Sequence, residues 1–177
     1  STSLVMTGSE VWFFSEAPIN KILMFENNLY IKALIAGFGA FICISILAYF
    51  NFSDTTNLWL IPPFGASMVL VMSVHTSPLA QPKNIFFGHT LSALSGVLVY
   101  LILGSNPFTI GLAVGLAIFV MITTNTIHPP AGGNPIIAVM GAKSFGFILF
   151  PVIAGALIII AFSLLYNKAL KREYPTK

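Results

Sequence analysis

Two stretches decide how this chain is built: Pro62-Pro63-Phe64-Gly65-Ala66-Ser67 and Pro129-Pro130-Ala131-Gly132-Gly133-Asn134, set 67 residues apart. Each places two prolines, one further residue, a glycine, a second small residue and a hydrogen-bonding side chain ahead of a short apolar run, Met68–Val74 or Ile136–Met140. Paired prolines remove two backbone donors and push the residue before them out of the helical region. Each stretch therefore predicts a break followed by a short helix. The first starts near Phe64 and ends near His75-Thr76-Ser77-Pro78; the second covers about 133–140, with Pro135 tolerated in its first turn. A polar gap with a single lysine, Lys83 or Lys143, and a long apolar span follow each. The unit of span, broken element and span thus occurs twice.

Working outward, the first firm span is Tyr30–Phe50, long enough at ~1.5 Å per residue to cross a hydrocarbon core. A polar turn with Asp54 separates it from the first break. The third element runs from about Asn84 to Leu103, with Gly88, Ser92 and Gly96 four apart, a spacing that admits another backbone closely. The turn Gly104-Ser105-Asn106-Pro107 leads to a fourth element, about 108–122, with Gly111 and Gly115. The last span is about Ser144–Tyr166. The expected organisation is a 1–29 lead carrying an amphipathic interfacial helix from Pro18, a 30–166 membrane domain (repeats about 30–103 and 108–166), and a frayed basic tail, 167–177. Residues 1–17 of the lead show no clear period, and the lead does not read as a signal peptide. If the broken elements cross fully the repeats are inverted, and if they turn back halfway they are parallel; the lysines do not decide between the two, although the parallel arrangement suits a cytoplasmic side for both termini.

Composition agrees. Of 177 residues, 56% are apolar and 7% charged, against the ~25% charge of soluble domains. Between Ala33 and Lys143 the only charges are Asp54, Lys83 and Lys143. This excludes a soluble enzyme, a nucleic-acid binder and a disordered segment, and leaves an all-α polytopic membrane protein. Cys43 is alone, so no disulfide forms within the chain and no thiolate cluster is implied. No cofactor or metal is expected: Asp54 has no carboxylate partner, and the spacing of His75, His89 and His128 suggests no metal site.

Broken backbone is costly in lipid unless it is buried in protein or lines a cavity, so the two breaks (Pro62, Pro63, Pro129, Pro130) should meet inside. Gly65, Ala66, Gly132 and Gly133 would let a ligand approach the backbone. Two helix N-termini facing each other would attract a small anion. Ser67, Asn134, Thr124, Asn125 and Thr126 would add neutral donors. The plainer alternative is that Ser67 and Asn134 cap their helices and the threonines satisfy carbonyls freed by the prolines. His128, held extended before two prolines, is a donor or a titrating group; His89 faces either the cavity or the interface; His75 reads as a helix cap.

The blocks Pro63-Phe64-Gly65-Ala66-Ser67, Ser77-Pro78-Leu79-Ala80-Gln81-Pro82-Lys83-Asn84, Gly88-His89 with Leu91-Ser92-Ala93-Leu94, and Thr126-Ile127-His128-Pro129-Pro130-Ala131-Gly132-Gly133 resemble the HPP family of integral membrane proteins, over about residues 30–166. That family takes its name from the His-Pro-Pro triplet. The resemblance implies four spans and, from some cyanobacterial and plastid members, nitrite transport in a bacterial or cyanobacterial plasma (inner) membrane. Asn134-Pro135 departs from the small or Thr residue expected there, which puts the identity of the anion in question. A homodimer is the simplest assembly. The competing readings are a membrane subunit that binds a partner protein, and a channel for a neutral solute.

Overall fold

The computed structural model describes residues 2–7, 10–15 and 28–176. The chain divides into two units, 1–35 and 36–177. In the first, β1 (Thr2–Thr7) and β2 (Glu10–Ser15) form an antiparallel hairpin, in register from Thr2↔Ser15 to Thr7↔Glu10. Lack of a period gave no hint of it, but the valines and aromatic residues of these segments favour extended backbone. The interfacial helix expected from Pro18 lies outside the described residues.

Helix α1 (Leu29–Ser53) begins in this unit and runs into the second. Then come α2 (Pro62–Ser73), α3 (Pro82–Leu103), α4 (Pro107–Thr123), α5 (Gly133–Met140) and α6 (Ala154–Ala169). A 3₁₀ turn, Pro78–Ala80, precedes α3, and another, Pro129–Gly132, precedes α5. Among the described residues three stretches are long and apolar enough to cross a membrane: Leu29–Ser53, Pro82–Leu103 and Ile148–Ala169. The last is not a regular helix. Ile148–Ile153 is wound as a wide π segment with Phe150 extended (φ −130°, ψ 120°), because Pro151 cannot donate to the helical ladder. The shorter α2 and α4 are also apolar. At about 1.5 Å per residue α2 is too short for a full crossing.

Prolines start α2, α3 and α4, where a missing N–H costs nothing. Asn106 accepts from the N–H groups of Phe108 and Thr109, while Thr109 Oγ1 accepts from Asn106 N–H, a complete capping box for α4. His75 does not cap α2; Val74 does. The offset of 67 residues carries Pro62–Ser73 onto 129–140, the extent of the second 3₁₀ turn plus α5. It carries Pro82–Leu103 onto 149–170, against 148–169 observed. The membrane part is thus an all-helical repeat architecture with proline-broken helices.

The halves interlock. Helix α2 packs on α6 and on the second break, while α5 packs on α3 and α4. Gly39 on α1 admits Met72 and Tyr166, and Gly155 on α6 admits the Phe64 ring. Phe64, Met68, Val71, Ile85, Val152 and Ile159 are buried in the shared core. Nor is the basic tail frayed: Tyr174 is buried and donates to Ala80 O at 2.8 Å, and Thr176 N donates to Gln81 Oε1 at 2.9 Å.

Candidate functional site

Helix α3 presents one face to the second break, built by residues four apart. Asn84 Nδ2 donates to Ile127 O at 2.9 Å. Gly88 leaves space for His128; a Cβ there would lie 2.6 Å from His128 Cβ and 3.0 Å from Thr126 O. Ser92 Oγ donates to Ala131 O, and Gly96 admits Pro135 and Ala138. Carbonyls that the prolines remove from helical pairing are thereby satisfied inside the protein, as the absence of water in lipid demands.

Next to that face, His89 on α3 brings the breaks together. Its Nε2 lies 2.8 Å from Ser67 Oγ on α2, and its Nδ1 lies 3.0 Å from Asn134 Nδ2 on α5. Ser67 and Asn134 are repeat equivalents, so the two halves grip opposite ends of one imidazole. Ser67 Oγ also reaches His128 Nε2 at 2.9 Å and Pro63 O at 3.1 Å. His128 Nδ1 donates to Leu79 O at 2.8 Å, and Asn134 Nδ2 also donates to His89 O at 3.0 Å. Ser67, His89, His128 and Asn134 are all fully buried. The imidazoles meet edge to face, 4.9 Å between centroids, and the Phe64 ring stands edge-on to His89 at 5.3 Å.

The hydrogens can be placed. Leu79 O only accepts, so His128 carries Nδ1–H and, when neutral, a bare Nε2. Asn134 donates to His89 Nδ1, so a neutral His89 carries Nε2–H. The chain of bonds then runs one way: Asn134 to His89 to Ser67 to His128 to Leu79.

The remaining candidates stand apart from this chain of bonds. Gly65 and Ala66 are exposed, and Gly65 borders an apolar cavity of about 370 Å³ with Ile44, Leu60, Ile61 and Pro62. Gly133 packs on Pro63, where an added Cβ would lie only 2.9 Å from Pro63 Cγ, while Gly132 has open space beside it. Thr124 Oγ1 donates to Val120 O and pairs with Thr126 Oγ1 at 2.8 Å. Asn125 is exposed with φ 53°. Neither Ser67 nor Asn134 caps its helix: Ser67 lies inside α2, and α5 starts at Gly133 without a side-chain cap. The helix starts offer fewer donors than expected. Prolines 62, 63, 129, 130 and 135 have none, and the N–H groups of Phe64, Ala131 and Gly133 are already bonded locally.

The sequence reading missed Leu79, whose carbonyl ends the chain of bonds, and the bonding roles of Asn84 and Ser92. Only the spacing 84, 88, 92, 96, an i+4 ladder, pointed to them. His75 takes no part in the cluster. It sits near Arg172, and partial burial followed by that positive charge holds its pKa below the usual imidazole value. Among the described residues no group of three or more His, Cys, Asp or Glu is placed to hold a metal ion.

These features define a polytopic helical membrane protein with a buried polar cluster at the meeting of two broken helices. The sequence matches the transmembrane region of the HPP family over residues 26–175, and the chain belongs to that family. It is 39% identical over 150 residues to one transmembrane protein of Dictyostelium discoideum and 37% identical over 149 residues to another. Those alignments cover 80% and 77% of this chain but 53% and 48% of the relatives, so the chain spans about half the length of the curated relatives it matches. No solved structure matches.

Proposed function

We propose that the chain carries a small monovalent inorganic anion across the membrane, with nitrite the first candidate, through the region where the two Pro-Pro-x-Gly breaks meet. One observation carries the reading. Repeat-equivalent side chains, Ser67 and Asn134, converge on the two nitrogens of a single fully buried histidine. Buried ionisable groups within membrane segments are costly and are kept where solutes or protons pass. Sites at discontinuous helices between repeats are the usual arrangement in secondary transporters. The nitrite assignment comes from the family resemblance alone, as does a bacterial or cyanobacterial inner membrane. A dimer remains the working assembly.

The test is nitrite uptake by proteoliposomes, against empty liposomes and His128→Gln protein. Saturable uptake lost in a folded His128→Gln variant supports the reading. A folded wild-type protein that moves no small anion overturns it in favour of a partner-binding subunit. Uptake of neutral solutes alone would favour a neutral-solute channel.

A further inference from the structure

We propose that the cluster takes up one proton together with one small weak-acid oxyanion, so that the solute crosses as an electrically neutral pair. The inference rests on the transport reading above and specifies how that site would work.

The argument starts at Ser67 Oγ, which has three partners: His89 Nε2, His128 Nε2 and Pro63 O, at 2.8, 2.9 and 3.1 Å. A hydroxyl has one hydrogen and two lone pairs. With both imidazoles neutral, His89 donates to Oγ, and the Ser67 hydrogen goes to the bare Nε2 of His128. Oγ and Pro63 O then face each other with no full hydrogen bond between them. One more proton, on His128 Nε2, satisfies all three contacts: both imidazoles donate to Oγ, and Oγ–H donates to Pro63 O. No heavy atom has to move. The contacts to Leu79 O and Asn134 are the same in both states. The cluster therefore has a place for one proton beyond the neutral pair.

A bare cation buried there would carry a heavy desolvation penalty. The titratable group facing each imidazole is the other imidazole, and the partners around them (Phe64, Ser67, Leu79, Asn134) bring no negative charge. The balancing charge must arrive with the proton.

A second observation concerns Asn134. Its Oδ1 is buried and has no hydrogen-bond partner. The amide cannot be turned over to use it, because Nδ2 faces both His89 Nδ1 and His89 O, and an oxygen there would oppose the carbonyl. The unpartnered atom is thus an acceptor, which repels a bare anion and receives an O–H. An oxyanion that accepts the proton supplies that O–H. The N–H bond on the imidazole pair breaks, an O–H bond forms on the acid, the imidazoles return to neutral, and no electron is transferred. Nitrite and formate have acids weak enough to share a proton in this way; nitrate and chloride do not.

The experiment uses the full chain in proteoliposomes at about pH 8, with a trapped pH dye, nitrite as probe and empty liposomes subtracted for leak of the neutral acid. The expected result is protein-dependent uptake with one proton per anion. Its rate should not change when valinomycin and potassium clamp the potential, and it should rise about tenfold per unit fall in external pH. Nitrate and chloride should be carried poorly, and folded Ser67→Ala should lose proton uptake. Nitrite uptake that carries net negative charge and no proton overturns the inference while leaving the transport reading standing. No uptake of any anion by folded protein overturns transport. Calorimetry of nitrite binding in detergent, in two buffers of different ionisation enthalpy, then decides the site separately: one proton per bound anion supports the paired site, and none overturns it.

Discussion

Gly88→Ala tests the packing that holds His128 in place. The added methyl would lie 2.6 Å from His128 Cβ and 3.0 Å from Thr126 O. Carbon atoms in van der Waals contact sit about 3.5–4.0 Å apart, so α3 and the second break must separate by roughly 1 Å. Neither side yields easily: Gly88 lies inside a long helix, and His128 precedes two prolines. His128 is held by bonds of 2.9 Å to Ser67 and 2.8 Å to Leu79 O. A shift of that size takes at least one of them beyond hydrogen-bond range. Overpacking costs about 1–3 kcal/mol, and an unsatisfied buried group about 1–3 kcal/mol more. The sum, roughly 2–6 kcal/mol, corresponds to a Tm lower by about 4–24 °C for a chain of this size. The assay is thermal unfolding of purified protein in detergent, followed by tryptophan fluorescence. Gly111→Ala is the control, since nothing lies within 4 Å of its Cβ position. A Gly88→Ala protein that melts with the Gly111→Ala control would refute the close packing of α3 on His128.

Three other outcomes are expected. Tyr174→Phe, which removes the donor to Ala80 O, should cost about 1 kcal/mol in the same thermal assay. Burial raises the Tyr174 pKa, so its stabilising share is complete below the unfolded value of about 10 and is lost as pH climbs toward the folded one. Wild-type stability should therefore fall more steeply than that of Tyr174→Phe in alkaline titrations, and parallel curves would count against the docked tail. Asp54 receives hydrogen bonds from Thr56, Asn57 and Trp59, which lower its pKa; its contribution is complete above the unfolded value of about 4 and is lost as pH falls toward the folded one. Trp59 fluorescence in a Trp12→Phe background should change at acid pH, and Asp54→Ala should show the acid signal already at neutral pH.

The breaks were legible because proline chemistry is local: two missing donors and a fixed φ act on the residues beside them, whatever the tertiary context. The start of α5 at Gly133 follows from that, and Gly141 closes it after Met140. The convergence of Ser67 and Asn134 was legible only in part. The repeat marked them as equivalents, but their meeting on His89 depends on which helix packs on which. The four-residue spacing of small residues on α3 signalled close approach without naming the partner. Leu79 could not be found this way, because its contribution is a carbonyl and any residue would present one. Gly65 and Ala66, which motif position had placed with Ser67, are exposed: Ser67 lies one helical turn from Pro63 and faces inward, while these two turn outward. The kink at Phe150 was missed because Pro151 sits inside an unbroken apolar run.

The interlocked packing also affects synthesis. Phe64 and Gly155, which meet in the finished protein, lie roughly ninety residues apart. At translation rates of about 5–20 residues per second, the first broken helix must wait some 5–20 s for the helix that will cover it. Through that interval a pair of prolines and an inward-facing serine stand in the bilayer or at the translocon without their final neighbours. Any helper that shields nascent membrane segments would be expected to hold this chain at its first half. Cutting the chain at the Gly104-Ser105 turn should yield two fragments that survive only when made together.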